Sequence, residues 1–157
     1  MVNYVGDFET LVNPDYTRVW AWGTCQVGDI EDFQYGTDIE SFIEWCKRGP
    51  NKTVYIHNLK FDGPFILDFL LKNLYTYSQS KEDNTFNTII SDMGQFYKIE
   101  VIFKKKNKKY HKVEFLDSLK KLPFTVEKIG KDFGLPIQKL EVEEDFYTRY
   151  RPVGHVL

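Results

Sequence analysis

The sequence predicts a mixed α/β fold, a sheet flanked by helices, on three observations. The chain opens with segments of β-branched and aromatic residues separated by turn formers. An amphipathic helical repeat follows at Asp38–Arg48. A strand-like stretch at Thr53–His57 then leads into an apolar run from Gly63. Strands first, then helix, strand and helix, is the order of a mixed sheet with helices laid on it. At 157 residues, 42% hydrophobic and 17% aromatic, the chain has the material for one domain spanning 1–157 and is too apolar to be disordered.

Val2–Phe8 is short and apolar enough for an inner strand, with the acidic pair Asp7 and Glu9 at its end. Arg18–Val27 carries Val19, Trp20, Ala21, Trp22 and Thr24, a composition rich in strand formers. Gly28-Asp29 makes a turn, and a third strand around Glu31–Tyr35 completes an antiparallel meander. In Asp38–Arg48, residues Ile39, Phe42, Ile43 and Cys46 fall on one face of a helix that Gly49-Pro50 ends. Thr53–His57 is the next strand. Gly63-Pro64 opens a second helix, proline being suited to a first turn. Phe65, Ile66, Leu67, Phe69, Leu70 and Leu71 make that helix apolar nearly all round, which predicts a central, buried position. Three strands follow around Thr85–Ser91, Phe96–Lys104 and Lys112–Asp117, with Lys106-Asn107 as the hairpin tip between the last two. A last helix at Val126–Phe133 precedes Gly134-Leu135-Pro136. Meander, helix, parallel strand, helix is the element order of ribonuclease-H-like folds.

The formal net charge of −2 gives no global basic footprint, so any nucleic-acid contact has to come from a local patch. The run Lys104-Lys105-Lys106-Asn107-Lys108-Lys109 reads first as a solvated hairpin tip, with nonspecific attraction to phosphates as a secondary effect. No apolar run approaches the ~20 residues of a membrane span, and the N-terminus lacks the basic start and apolar core of a signal peptide. Cys25 and Cys46 have neither a CxxC partner nor a histidine at metal spacing, so they read as two buried, reduced thiols of a cytoplasmic protein.

Candidate chemistry concentrates in two stretches. In Asp7-Phe8-Glu9 the period-two alternation of a strand puts both carboxylates on one face. Carboxylates converging at a strand end repel unless a cation or proton intervenes. The same spacing at Asp29-Ile30-Glu31 and Asp38-Ile39-Glu40 falls on a turn and a helix start, where acids serve the turn and the helix dipole. The second stretch is His57-Asn58-Leu59-Lys60-Phe61-Asp62-Gly63-Pro64, which leaves a strand and enters a helix. Asp62 is there either a cap or dipole partner or a third functional carboxylate. Asn58 suits a phosphate or sugar, Phe61 suits stacking on a terminal base, and His57 fits a structural role as well as a functional one. Asp117-Ser118-Leu119-Lys120-Lys121 adds a hydroxyl and two lysines suited to a phosphate backbone, although helix-entry capping also explains Ser118. Asp7, Glu9 and Asp62 together are a donor set for a pair of divalent cations, Mg²⁺ or Mn²⁺. Two-metal sites cut phosphodiesters by stabilising both the attacking and the leaving oxygen, so the pattern points to a nuclease.

Five separated motifs carry a family resemblance: Asp7-Phe8-Glu9-Thr10, His57-Asn58-Leu59-Lys60-Phe61-Asp62-Gly63, Asn87-Thr88-Ile89-Ile90-Ser91-Asp92-Met93-Gly94-Gln95, Asp117-Ser118-Leu119-Lys120-Lys121-Leu122-Pro123 and Arg151-Pro152-Val153-Gly154. In order and spacing, from about Tyr4 to Gly154, the chain resembles the N-terminal 3′→5′ proofreading exonuclease domain of the protein-primed family B DNA polymerases of phages and linear plasmids. The resemblance implies that Asp7 bridges both metals, Glu9 ligates the metal that activates water, and Asp62 serves the second metal. It implies strand-holding roles for Thr10, Asn58, Phe61, Ser118 and Leu119, contacts of His57 with DNA and the priming protein, and a strand contact for Tyr147. The partners it implies are the 3′ end of single-stranded DNA and, beyond it, a priming terminal protein or a separate polymerase chain. The expected location is the cytoplasm of a host cell.

This sequence departs from the family pattern twice. The family's lysine preceding that tyrosine matches Lys139 only across an insertion within Leu140–Asp145. The family's third exonuclease motif, a Tyr-x-x-x-Asp downstream of the Arg-Pro-Val-Gly element, has no counterpart before Leu157. Without that carboxylate and tyrosine the water-activating site is weakened, and cleavage is expected to fall by roughly 10²–10⁴-fold. Two functions therefore remain: an exonuclease of reduced activity, favoured by Asp7, Glu9 and Asp62, or a catalytically dead exonuclease-like module that binds DNA or a protein partner, favoured by the missing motif.

Overall fold

The computed structural model describes residues 1–13, 15–90 and 96–118. The meander consists of β1 (Val2–Asn13), β2 (Tyr16–Gln26) and β3 (Asp29–Gly36), followed by α1 (Ile39–Lys47) and β4 (Lys52–Ile56). Next come α2 (Leu59–Lys72), the short β5 (Thr76–Tyr77), β6 (Thr85–Ile90), β7 (Phe96–Lys106) and β8 (Lys109–Asp117). The eight strands form one sheet in the order β3-β2-β1-β4-β8-β7-β6-β5. β1, β4 and β8 run parallel as neighbours at its centre, and the flanking pairs are antiparallel apart from β5–β6. This is the mixed α/β, ribonuclease-H-like arrangement that the element order predicts.

The helix α1 begins where Asp38, expected as its first residue and a dipole partner, instead caps it by accepting a hydrogen bond from the Ser41 backbone N–H at 2.7 Å. Its far end is closed by Lys52, which is buried and donates to the carbonyls of Cys46, Arg48 and Pro50 while lying 5.2 Å from the Trp45 ring centre. A cation at a helix C-terminus compensates the last carbonyls. The buried face of α1 supplies Phe42, Ile43, Trp45 and Cys46. Phe42 meets Phe8 edge-on at 4.8 Å and Trp45 meets Tyr4 at 4.9 Å, so β1 and α1 are locked by aromatic pairs. Such pairs contribute about 0.5–1.5 kcal/mol each beyond the area they bury.

The observed fold corrects several expectations. The helix α2 starts at Leu59 rather than at Gly63-Pro64, so Pro64 lies inside it. It is not central either: Leu59, Ile66 and Leu70 are buried, whereas Phe61 and Leu71 are 55% and 62% exposed. A wide apolar composition fixed that the helix would pack, but one sheet face covers only one side of it. Cys46 is buried as expected, but Cys25 is only half-buried, its thiol donating weakly to the Asp29 carbonyl; both are free. The hairpin tip is Asn107-Lys108, one residue beyond the expected pair, because Asn107 takes the left-handed conformation that a tight hairpin turn needs. β5 was not foreseen, two residues being too few for a periodic signal. The expected helix at Val126–Phe133 lies outside the described residues.

On the sheet face away from this core, Asn87, Glu100 and Glu114 sit opposite one another across β6, β7 and β8. Glu100 is 1% exposed. It accepts from Asn87 at 3.1 Å and Lys112 at 2.9 Å, and pairs with Lys81 at 3.2 Å, while Glu114 pairs with Lys98 and Lys112 at 3.1 and 3.0 Å.

Candidate active site

The register of the three parallel strands assembles the candidate site. Gly6 of β1 lies opposite Ile56 of β4, which lies opposite Asp117 of β8. That row is the last one in which these strands pair. The residues that follow, Asp7, His57 and Ser118, are therefore brought side by side, at the carboxyl ends of β4 and β8 and midway along the longer β1, on the side of the sheet where open α/β folds place ligand sites. β1 continues past the row, paired only with β2, and a bulge at Glu9/Thr10 interrupts its register. Bulges re-aim side chains at strand ends, and this one sits between an exposed Glu9 and a half-buried Thr10.

The link from β4 to α2 is set by Asn58. Its φ of 62° and ψ of 61° place it in the left-handed region, which asparagine tolerates better than most residues. Its backbone N–H donates to the Asp117 carboxylate at 3.0 Å, and its side chain makes no cap bond. Asp117 is buried, at the end of the alternation Val113, Phe115, Asp117. An acid on the apolar phase of a strand was a legible sign of a special role, yet the sequence reading gave Asp117 none. Beside it, His57 Nδ1 and Ser118 Oγ are 3.1 Å apart.

Because α2 begins at Leu59, Phe61 and Asp62 both lie in its first turn and neither is the cap. The capping alternative for Asp62 is thereby removed; its first-turn position still favours a negative charge through the helix dipole. Phe61 presents an exposed ring 6.5 Å from that of Phe65. Asp62 is 4% exposed and its carboxyl is pushed up to about 7. Burial is the main cause, the charge of Asp7 adds to it, the Phe8 backbone N–H offsets part of it, and Glu9 adds a smaller repulsion. The three acids picked out in the sequence are thus one electrostatic unit, with Asp7 and Glu9 exposed and Asp62 beneath them.

These oxygens suit a hard divalent cation, and a buried carboxyl raised by its acidic neighbours is the condition such a cation relieves. Among the described residues no three His, Cys, Asp or Glu side chains are gathered tightly enough to cage one ion. A cage is not required for Mg²⁺, which is commonly held by one or two carboxylates together with water and substrate phosphates. Leu119, Lys139 and Tyr147 lie outside the described residues. Among the described residues no helix is long and apolar enough to cross a membrane.

Residues 46–154 match the family described as DNA polymerase type B, organellar and viral. The chain is similar to the DNA polymerase of Bacillus phage Nf, 43% identical over 95% of this chain and 25% of that protein. It is 41% identical to the DNA polymerase of Bacillus phage phi29 over 97% of this chain and 26% of that protein. The chain spans about a quarter of the length of the curated relatives it matches. Among solved structures, phi29 DNA polymerase complexed with single-stranded DNA superposes with a TM-score of 0.89 at 39% identity, covering 99% of this chain and 27% of that one. Phi29 DNA polymerase complexed with primer-template DNA and incoming nucleotides gives 0.88 at 38%, again over 99% and 27%.

Proposed function

We propose that this chain, which belongs to the organellar and viral type B DNA polymerase family, is the 3′→5′ exonuclease region of a protein-primed polymerase. It takes the 3′ end of single-stranded DNA where β4 and β8 end beside the middle of β1. The observation that carries this reading is Asp62, a carboxyl buried next to the exposed Asp7 and Glu9 and pushed up to about 7 by that burial and by their charge. A surface rim of acids would be solvated and spread apart; here the fold buries one acid against its own kind, at a cost that function has to explain.

The residues divide the work by position. Asp7, Glu9 and Asp62 would hold one or two Mg²⁺ or Mn²⁺ ions. Bound there, such ions stabilise the charge that develops on phosphate oxygens and lower the pKa of attacking water. Phe61, exposed in the first turn of α2, offers a face on which a terminal base stacks. Asn58 is exposed in its left-handed turn, so its amide is free to meet a phosphate or sugar, and Asp117 holds that turn from behind. His57 and Ser118 flank the same row from two strands, with Thr10 beyond the bulge on a third. The phi29 polymerase structure complexed with single-stranded DNA supports a strand as ligand.

The test is degradation of a 5′-labelled single-stranded oligonucleotide in Mg²⁺ or Mn²⁺, beside Asp7→Ala and Asp62→Ala. Laddering from the 3′ end that both substitutions abolish is the expected result. An intact oligonucleotide that is nevertheless bound would replace the enzyme by a DNA-binding module on a nuclease fold. A second readout is thermal: at pH 8, Mn²⁺ raises the melting temperature of the wild type by preferential binding to the folded state, and leaves that of Asp62→Asn nearly unmoved.

A further inference from the structure

The end of the sheet opposite the carboxylates carries a group of cations that the proposed cleavage does not use. Across the β7–β8 hairpin, Lys104 lies opposite His111 and Lys106 opposite Lys109. Side chains two apart along a strand, and those directly opposite across a ladder, share a face. Lys104, Lys106, Lys109 and His111 therefore point the same way, and with Tyr110 they line a recess of about 310 Å³. Lys106, Asn107, Lys108 and Lys109 border a second recess of about 580 Å³ at the tip.

These lysines differ from the others on the same two strands. Lys98 and Lys112 are neutralised by Glu100 and Glu114, and Lys105, on the opposite face, by Glu82 at 3.1 Å. Lys104, Lys106, Lys108 and Lys109 are exposed and have no acidic partner among the described residues. Like charges directly opposite on a ladder destabilise it, so the Lys106–Lys109 pair is a repulsion that a bound anion removes. The cluster also sits on a fixed base. His111 reaches the Asn51 side-chain oxygen at 3.2 Å and the Lys47 carbonyl, and Asn51 accepts from the Lys112 backbone N–H at 3.0 Å while donating to the Tyr110 carbonyl at 2.9 Å. That contact brings the exposed Lys47 and Arg48, at the end of α1, to the same side. The nine residues of β8 separate this face from Asp117, and at about 3.3 Å per residue the gap is near 26 Å, or about eight base pairs of duplex rise.

We propose that the Lys104–Lys106–Lys109 face is a second, sequence-independent site for the phosphodiester backbone of nucleic acid, held apart from the carboxylate site. It binds by charge: Tyr110 pairs with Lys105 on the opposite face of the ladder, with Lys81 over its ring, so the recess offers no free aromatic face for a base. The choice of nucleic acid over an acidic protein segment rests on membership in a polymerase family.

The experiment measures the salt dependence of anisotropy for a labelled 20-base-pair duplex and a 20-nucleotide single strand, in EDTA, for wild type and Lys104→Gln/Lys106→Gln/Lys109→Gln. EDTA prevents cleavage, so failure of the nuclease reading leaves this readout intact. The expected result is weaker binding, with the log–log salt slope reduced by up to about 2.7 for duplex, or about 2.1 if the single strand is the ligand. An unchanged slope on both substrates overturns the site. Lys105→Gln is expected to change the slope far less, since Glu82 already occupies that charge; an effect equal to a third of the triple variant's overturns the assignment to one face. Polyglutamate competing as well as duplex at the same charge concentration overturns nucleic acid as the ligand. An unchanged melting temperature of the triple variant confirms that folding is not what is read.

Discussion

Asp62 and Glu100 are both buried carboxyls, 4% and 1% exposed, on the same sheet-and-helix framework, yet they are displaced in opposite directions. Asp62 is raised to about 7 by burial and by Asp7, while Glu100 is lowered to about 2 because bonds from Asn87, Lys112 and Lys81 outweigh its own burial. Burial alone does not set the state of an acid; its neighbours do. Where cations were placed around the carboxylate, the result is a structural crosslink between β6, β7 and β8. Where more acids were placed, the result is a site left with an unmet demand for positive charge.

Four experiments can break or sharpen that contrast, beginning with the largest effect. Asp62→Asn should reduce cleavage by about 10²–10⁴-fold while leaving chemical stability unchanged or higher, because a neutral side chain ends the repulsion from Asp7. A clear loss of stability would make Asp62 a structural acid like Glu100. Glu100→Ala, in turn, should cost about 1–3 kcal/mol in a urea titration, since the buried Asn87 amide loses its acceptor while Lys112 keeps Glu114 and Lys81 turns to solvent, with no direct effect on the cleavage chemistry.

Stability against pH then separates the two signs. Glu100 has a folded-state value below its ordinary 4.5, so its contribution is present above that pH and is lost as the pH falls toward about 2. Asp62 has a folded-state value above its ordinary 3.8, so the metal-free protein is favoured below that pH and loses this contribution as the pH rises through about 7. Denaturant midpoints in EDTA at pH 3, 5 and 8 should show both limbs. Glu100→Gln should flatten the acid limb and Asp62→Asn the alkaline one; a single variant flattening both would merge the two regions.

The smallest effects concern the two helix starts. Asp38→Ala removes a local cap and should cost about 1 kcal/mol. Asn58→Gly keeps the left-handed turn, for which glycine needs no strain, so its stability should move by less than about 1 kcal/mol. Any drop in single-strand affinity, read by anisotropy, then belongs to the lost amide alone.

Much of the fold was legible because its signals are local. β-branched and aromatic stretches between turn formers gave β1 to β4 and β6 to β8, and the i, i+3, i+4 spacing gave α1. Asp7, Glu9 and Asp62 were also legible, the first two from their period-two spacing and the third from its place at a helix entry, although β1 runs on to Asn13 beyond the strand end expected at Phe8. The start of α2 was misread because Pro64 is a strong local marker, whereas the true start is fixed by Asn58 and by Asp117, distant in sequence, accepting its N–H. The exposure of Leu71 and of half of Cys25 was not legible either, since composition says that a segment packs but not which side a finite sheet leaves uncovered.

What the sequence determined by itself is therefore what nearest neighbours can encode: strand and helix periods, caps, turns, and which residue types are available for chemistry. The tertiary structure decided the rest. Only the register Gly6–Ile56–Asp117 across three parallel strands puts acids far apart in the chain into one field, because Coulomb forces and desolvation act through space and not along the backbone.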